Sequence, residues 1–263
     1  MENFDRQKRA FFVKTGLSVR PVMRLHKYVG NLRKGTESWR NVSEHCLVEV
    51  ARVDVLAAVL RLSGGIRGKL RIAAALHDVG KREEVAAFRA ANETENSAWE
   101  ACTEASRQSA EIMKRAGFSD DVIALASIAG DHNSFAATLA LAEQDVLTDE
   151  ETARLIMSYV DDMSAGSTWA TPAVPLPDGS LQNTVDRRLE AGEKDPRYAR
   201  MNEEAREHFA GRTMYAMQRE TAHAVEQRLA ALLSEKTGEM IDPKRLPEWI
   251  DLRIRERIAA EQV

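Results

Sequence analysis

Leu70-Arg71-Ile72-Ala73-Ala74-Ala75-Leu76-His77-Asp78-Val79-Gly80-Lys81 is the stretch whose reading decides the fold. It is rich in Ala, Leu and Ile and stops at Gly80, the residue expected where a helix ends in a left-handed turn. The pattern predicts a helix over 70–79 with His77 and Asp78 in its last turn. Adjacent helical residues point about 100° apart, so a helix interior is a poor place for both to reach one ion, whereas a final turn relaxes that constraint. Asp78 would also stand at the negative end of the helix dipole, where a carboxylate is unfavourable by roughly 0.3–1 kcal/mol unless a cation is close. A bound metal would supply that cation. Lys81 would supply it equally well, and His77 taken alone reads as a satisfied core histidine.

Outward from this stretch, helix signals recur and alternating β-branched runs are missing, so the class expected is all-α. Towards the N-terminus, Asn41 stands three residues before Glu44 as a capping box for a helix running to about Leu62, with Cys46, Val50, Val53, Ala57 and Leu60 on one stripe. Towards the C-terminus, one helix ends near Gly117 and a short one over 122–129 closes at Gly130, leaving Asp131 and His132 just past it. Thr148 and Glu151 have capping-box spacing, and Leu155, Ile156, Tyr159, Val160 and Met163 carry a helix to the break at Ser164-Ala165-Gly166. Asp161 and Asp162 fall within that helix.

From Gly166 onward the character changes. Pro172, Pro175 and Pro177 cluster, with Asp178-Gly179 as a turn signal, and a loop this long is either a plain surface connection or a lid. Beyond it, Met201 to about Lys236 reads as one long helix with Phe209, Met217, Val225, Leu229 and Leu232 available to cover the core or to join a second copy. The organisation expected is an N-terminal helical segment over 1–36, a core over 37–165, a loop over 166–200 and a helical extension over 201–263 packed on the same domain.

Composition bounds the function. A chain of 263 residues with 44% hydrophobic residues can bury a proper core. Its 37 basic and 41 acidic residues leave no summed field favouring nucleic acid or an anionic membrane. Cys46 and Cys102 are too few for a disulfide framework, and neither a signal peptide nor a membrane-length apolar run is present. A cytoplasmic location is therefore expected.

Ser38-Trp39-Arg40-Asn41-Val42-Ser43-Glu44-His45, then Ala73-Ala74-Ala75-Leu76-His77-Asp78-Val79-Gly80-Lys81, then Tyr159-Val160-Asp161-Asp162-Met163, together resemble the HD superfamily of metal-dependent phosphohydrolases. The resemblance covers roughly residues 38–164. It implies an HD-domain helical bundle, with helical extensions at both ends, in which His45, His77, Asp78 and Asp161 hold one divalent cation. Periodicity leaves Asp161 and Asp162 open; the family pattern, with the ligand directly after a small apolar residue such as Val160, selects Asp161. Mixed imidazole and carboxylate ligation suits Mn, Co, Ni, Fe or Zn better than Mg.

Lys81 is the first candidate for a phosphate contact and Arg40 the second, although either is also readable as a charge satisfied at its own helix end or in solvent. His132 is a candidate general acid or substrate contact, or else a surface histidine. Two-metal members carry an earlier histidine where residues 106–109 read Ser-Arg-Gln-Ser, so one ion is expected. The implied activity is hydrolysis of a phosphate ester in a small molecule, with a nucleotide and a 5′-nucleotidase-like reaction foremost. An HD-type di-iron oxygenase and a non-catalytic nucleotide-sensing module are the alternatives, and the long C-terminal helix suggests a homo-oligomer.

Overall fold

The computed structural model describes residues 10–12, 14–31, 37–94, 97–164 and 168–261, with backbone alone for 37–41. These residues are predominantly helical: α1 (Arg20–Tyr28), α2 (Glu37–Val59), α3 (Gly64–Leu76), α4 (Lys81–Asn92), α5 (Ala98–Arg115), α6 (Asp120–Ala126), α7 (Phe135–Ala142), α8 (Asp149–Asp162), α9 (Thr184–Glu193), α10 (Ala199–Glu204), α11 (Met214–Thr237) and α12 (Leu246–Ala260). The only sheet among them is a hairpin in which β1 (Val174–Pro175) runs antiparallel to β2 (Leu181–Gln182). The all-α class expected from the sequence is the class observed.

The centre of the molecule is α2, packed against α3, α8 and α12. Its predicted stripe of Cys46, Val50, Val53, Ala57 and Leu60 is buried throughout. On α3, Ala73, Ala74 and Ala75 are fully buried, and such small side chains let neighbouring helices approach closely. Ser63 caps α3 by accepting from the Ile66 amide. The predicted capping box of Thr148 and Glu151 opens α8, which carries an unbroken buried run from Leu155 to Asp162 into its last turn. In turn, α11 covers α7 and α8 with Met217, Val225 and Leu229. No helix among the described residues is long and apolar enough to cross a membrane, and Cys46 and Cys102 are both buried free thiols.

Four local expectations need correction. First, α2 is already under way at Glu37, so Asn41 lies inside the helix instead of capping it. Second, α3 ends at Leu76, and Gly80 has φ −93°, so it is not a left-handed stop. A glycine is needed there for a different reason: a Cβ would stand 1.8 Å from Ser109 Oγ on α5.

Third, the segment read as a loop over 166–200 contains the hairpin and α9. Asn183 and Asp186 form a reciprocal capping box, and Val185 and Leu189 are buried, so local signals stronger than the prolines start a helix there. Fourth, the expected single helix over 201–236 is broken. Ala210 and Gly211 take positive φ (51° and 88°), and Thr213 caps a fresh start for α11 by accepting from the Ala216 amide. Of the apolar residues offered for covering the core or for self-association, Phe209, Met217, Val225 and Leu229 are buried within this chain and Leu232 is half-buried against its core.

Candidate metal centre

Three elements meet at one point. The middle of α2 presents His45 and, one turn later, Glu49; the end of α3 presents His77, with Asp78 in the turn that follows; the last turn of α8 presents Asp161. His45 Nε2 lies 3.2 Å from His77 Nε2, 3.5 Å from Asp161 Oδ1 and 3.7 Å from Asp78 Oδ2. His77 Nε2 lies 3.7 Å from Asp78 Oδ2 and 3.9 Å from Asp161 Oδ1. Donors about 2.1 Å from a shared cation lie roughly 3.0–3.4 Å apart at right or tetrahedral angles, and up to roughly 4.2 Å apart when opposite. Every distance above falls in that range. Three of the four residues implied by the family resemblance, His45, His77 and Asp161, gather with spacings that suit one ion, and Asp78 stands 3.7 Å from each imidazole without belonging to that gathered group.

The tautomer of His77 follows from its surroundings. Nδ1 is 2.9 Å from the Ala74 carbonyl oxygen, which only accepts, so Nδ1 carries the proton and the Nε2 lone pair faces the cluster. Glu49 joins His45, His77 and Asp161 in a group whose ligand atoms all lie within 4.8 Å of one another. It has no exposed surface and makes no well-formed hydrogen bond, its carboxylate facing His45 Nε2 at 2.9 Å and His77 Nδ1 at 3.3 Å; His45 Nδ1 is buried without a partner. Buried polar groups are nearly always satisfied, and charges are paired or bind metals. These orphaned atoms show that the donor set fits a cation that would complete it, and this buried group can hold a metal ion.

The electrostatics agree. Burial lowers the His45 pKa, but Glu49, Asp161 and Asp78 outweigh it and raise it to about 10. Burial raises the Asp78 carboxyl, whereas Lys81, His77 and His45 together bring it down to about 2. For Asp161, Arg188 and the two histidines overcome burial and hold the carboxyl well below its ordinary value. Without an ion, the His45 proton is the cation on which the carboxylates close.

No protein-family model, curated protein or solved structure matches the chain. The candidate site accordingly rests on residues and geometry.

The two adjacent carboxylates at the end of α8 have different neighbours. Asp161 faces the histidines, while Asp162 Oδ1 accepts from Gln218 Nε2 at 2.7 Å, and burial pushes its carboxyl up to about 7. A cavity of about 150 Å³ adjoins the cluster, lined by His77, Asp78, Lys81, Asp161 and Arg188 and by apolar groups that include Phe88, Met113 and Met214. Lys81 belongs to this lining, 3.6 Å from Asp78 Oδ1 and 2.9 Å from Glu84 Oε1.

His132 does not line the cavity. It is 1% exposed, set edge-on to the Trp99 ring, with Nε2 3.2 Å from Thr103 Oγ1. Burial, with a smaller contribution from His208, lowers its pKa to about 4. The neighbouring Asp131 is the residue of that pair that reaches the cavity, because Gly130 turns the chain at φ +64°. The Arg40 side chain lies outside the described residues.

Two residues of the site escaped the sequence reading. Glu49 carried a usable signal, an acidic residue one turn after His45 on a stripe that is otherwise apolar. Arg188, on α9, donates to the backbone oxygen of Asp161 and, at 3.2 Å, to Asp161 Oδ1. Nothing local announces it, since the segment that carries it read as loop. Among the described residues no second group of His, Cys, Asp and Glu is gathered in this way.

Proposed function

We propose that this chain is a metal-dependent phosphohydrolase of the HD type that cleaves a phosphate ester of a small molecule, with nucleotides as the leading substrate class. The observation that supports it most is the convergence of His45, His77, Asp78 and Asp161, drawn from three elements, beside a cavity that also contains two cationic side chains. A divalent ion bound there supplies Lewis acidity, making solvent a better nucleophile and neutralising charge on phosphoryl oxygens.

The remaining roles fall to side chains of this protein. Lys81 and Arg188 both line the cavity, and an ammonium and a guanidinium are the groups suited to hold phosphoryl oxygens. Arg188 does so while fixing the carboxylate of Asp161, so the ligand and the substrate share one positioning group. Burial raises the Asp131 carboxyl above its ordinary value, which makes it a candidate to return a proton to the leaving oxygen in place of His132. A di-iron oxygenase would need a second ligand group, and a purely sensing module would have no need of the buried donors.

Phosphate release from a panel of nucleotides and simpler phosphomonoesters, with Mn²⁺ or Co²⁺ present, tests this function. Turnover of at least one compound, abolished by a chelator and by Asp161→Ala, is expected. Ion-loaded protein that releases phosphate from no phosphorylated compound would refute it.

A further inference from the structure

Glu49 has no place in the four-ligand set that the resemblance implies. It belongs to the buried face of α2, and a carboxylate taken out of water without hydrogen-bond donors is strongly unfavourable unless a cation replaces its lost hydration. Of the cationic side chains in reach of the site, Arg188 is engaged by Asp161 and Lys81 by Asp78 and Glu84, so only a protonated His45 is left to pair with Glu49. What Glu49 does approach is the pair of imidazoles: Oε1 lies 2.9 Å from His45 Nε2, an ion pair while His45 holds its proton, and Oε2 lies 3.3 Å from His77 Nδ1. Service as the acceptor for the His77 Nδ1 proton is already performed by the Ala74 carbonyl at 2.9 Å. The 2.9 Å separation from His45 Nε2 is the spacing of two neighbouring donors on one ion.

We propose that Glu49 is a direct ligand, so that the gathered donors are two imidazoles and the carboxylates of Glu49 and Asp161, with Asp78 as a further carboxylate 3.7 Å from each imidazole, a set that suits an ion taking more than four donors, such as Mn²⁺ or Fe²⁺, better than four-coordinate Zn²⁺. This rests on the metal-centre reading above. Structural zinc is satisfied by four protein donors and catalytic zinc usually by three, so four gathered donors with Asp78 beside them exceed what catalytic zinc uses. Carboxylate-rich, octahedral surroundings suit Mn²⁺, and two histidines with carboxylate suit Fe²⁺. Four protein donors leave two positions of an octahedron for Asp78, solvent or a substrate oxygen. The third carboxylate also adds one negative charge, which Lys81 and Arg188 partly offset from the cavity side.

The test uses the full chain, stripped with a chelator and titrated separately with Mn²⁺ and Zn²⁺ by calorimetry, as wild type, Glu49→Gln and Glu49→Val. Loss of a ligand should weaken Mn²⁺ binding by about 100-fold and Zn²⁺ binding by about tenfold or less, so the ratio of the two affinities moves by at least about tenfold. Co²⁺-loaded wild type should show the weak visible absorption of a high-coordinate ion, and Glu49→Gln the stronger bands of a lower-coordinate one. Equal losses for both metals with an unchanged Co²⁺ spectrum, or no loss at all, would overturn the proposal. If wild type binds an ion and Glu49→Gln binds it equally, only this inference fails; if wild type binds none, the metal-centre reading fails with it. Glu49→Gln, which keeps the shape of the side chain, should retain the wild-type circular dichroism and a cooperative melt in the ion-free state, so lost binding in it cannot be ascribed to unfolding.

Discussion

Two buried charged clusters share α2, and they are satisfied to very different degrees. Arg52 and Asp251 form one: the guanidinium makes two bonds to the carboxylate, at 2.9 and 2.7 Å, and further bonds to Ser164 Oγ and the Thr168 carbonyl, while Asp251 also accepts from the Ala170 amide. The other is the centre around His45, less than two turns earlier, where Glu49 faces the two imidazoles without a well-formed hydrogen bond and His45 Nδ1 has no partner. Both clusters are buried, so solvent does not explain the difference. A network that closes on itself ties elements together, here α2, α12 and the chain after α8. A network left open at buried carboxylates is arranged around something that the protein alone does not provide.

The sharpest way to break this contrast is to remove one ligand. His77→Ala should bring the bound-ion content from one per chain to none, measured by elemental analysis after equilibrium dialysis, while the ion-free protein keeps its fold. The satisfied cluster should respond in the opposite manner. Arg52→Met leaves Asp251 buried and largely unpaired, which should lower unfolding stability by about 3–5 kcal/mol in urea titrations without removing the metal site; adding Asp251→Leu should recover most of that loss.

Acid sharpens the comparison at a third buried group. The folded pKa of His132, about 4, lies below its ordinary value of 6.5, so above pH 6.5 the residue is neutral in both states and contributes no pH dependence. As pH falls from 6.5 to 4, the unfolded chain takes up a proton that the folded chain refuses, and stability should drop by up to about 3 kcal/mol. His132→Gln, which cannot titrate, should remove that part of the drop when denaturation midpoints at pH 7 and pH 4.5 are compared. The smallest effect is expected in ion affinity. Because His45 in the ion-free protein keeps its proton up to about pH 10, an incoming ion displaces it, and affinity for Mn²⁺ should rise about tenfold per pH unit between pH 6 and 8. A flat profile would mean that His45 is not a ligand.

Much of this was legible in the chain itself, for reasons that differ by residue. The helical class, the capping box of Thr148 and Glu151 and the buried stripe of α2 are local properties, and local spacing reports them. The preference for Asp161 over Asp162 came from the family motif; in the structure Asp161 lies 3.5 Å from His45 Nε2, and Asp162 accepts from Gln218. What was missed depended on distant neighbours. Gly80 owes its identity to Ser109, Arg188 meets Asp161 only after the chain has passed through the proline-rich hairpin, and the helix read across 201–236 fails at two residues of positive φ. Glu49 is a different kind of miss, since an acidic residue on a buried stripe was visible and went unweighed.

Anomalous diffraction from crystals grown with Mn²⁺ would test the central claim most directly. One peak is predicted per chain, within bonding distance of His45 Nε2, His77 Nε2, Asp78 Oδ2 and Asp161 Oδ1. A map with no peak among these atoms, or with the ion held elsewhere, would contradict the account.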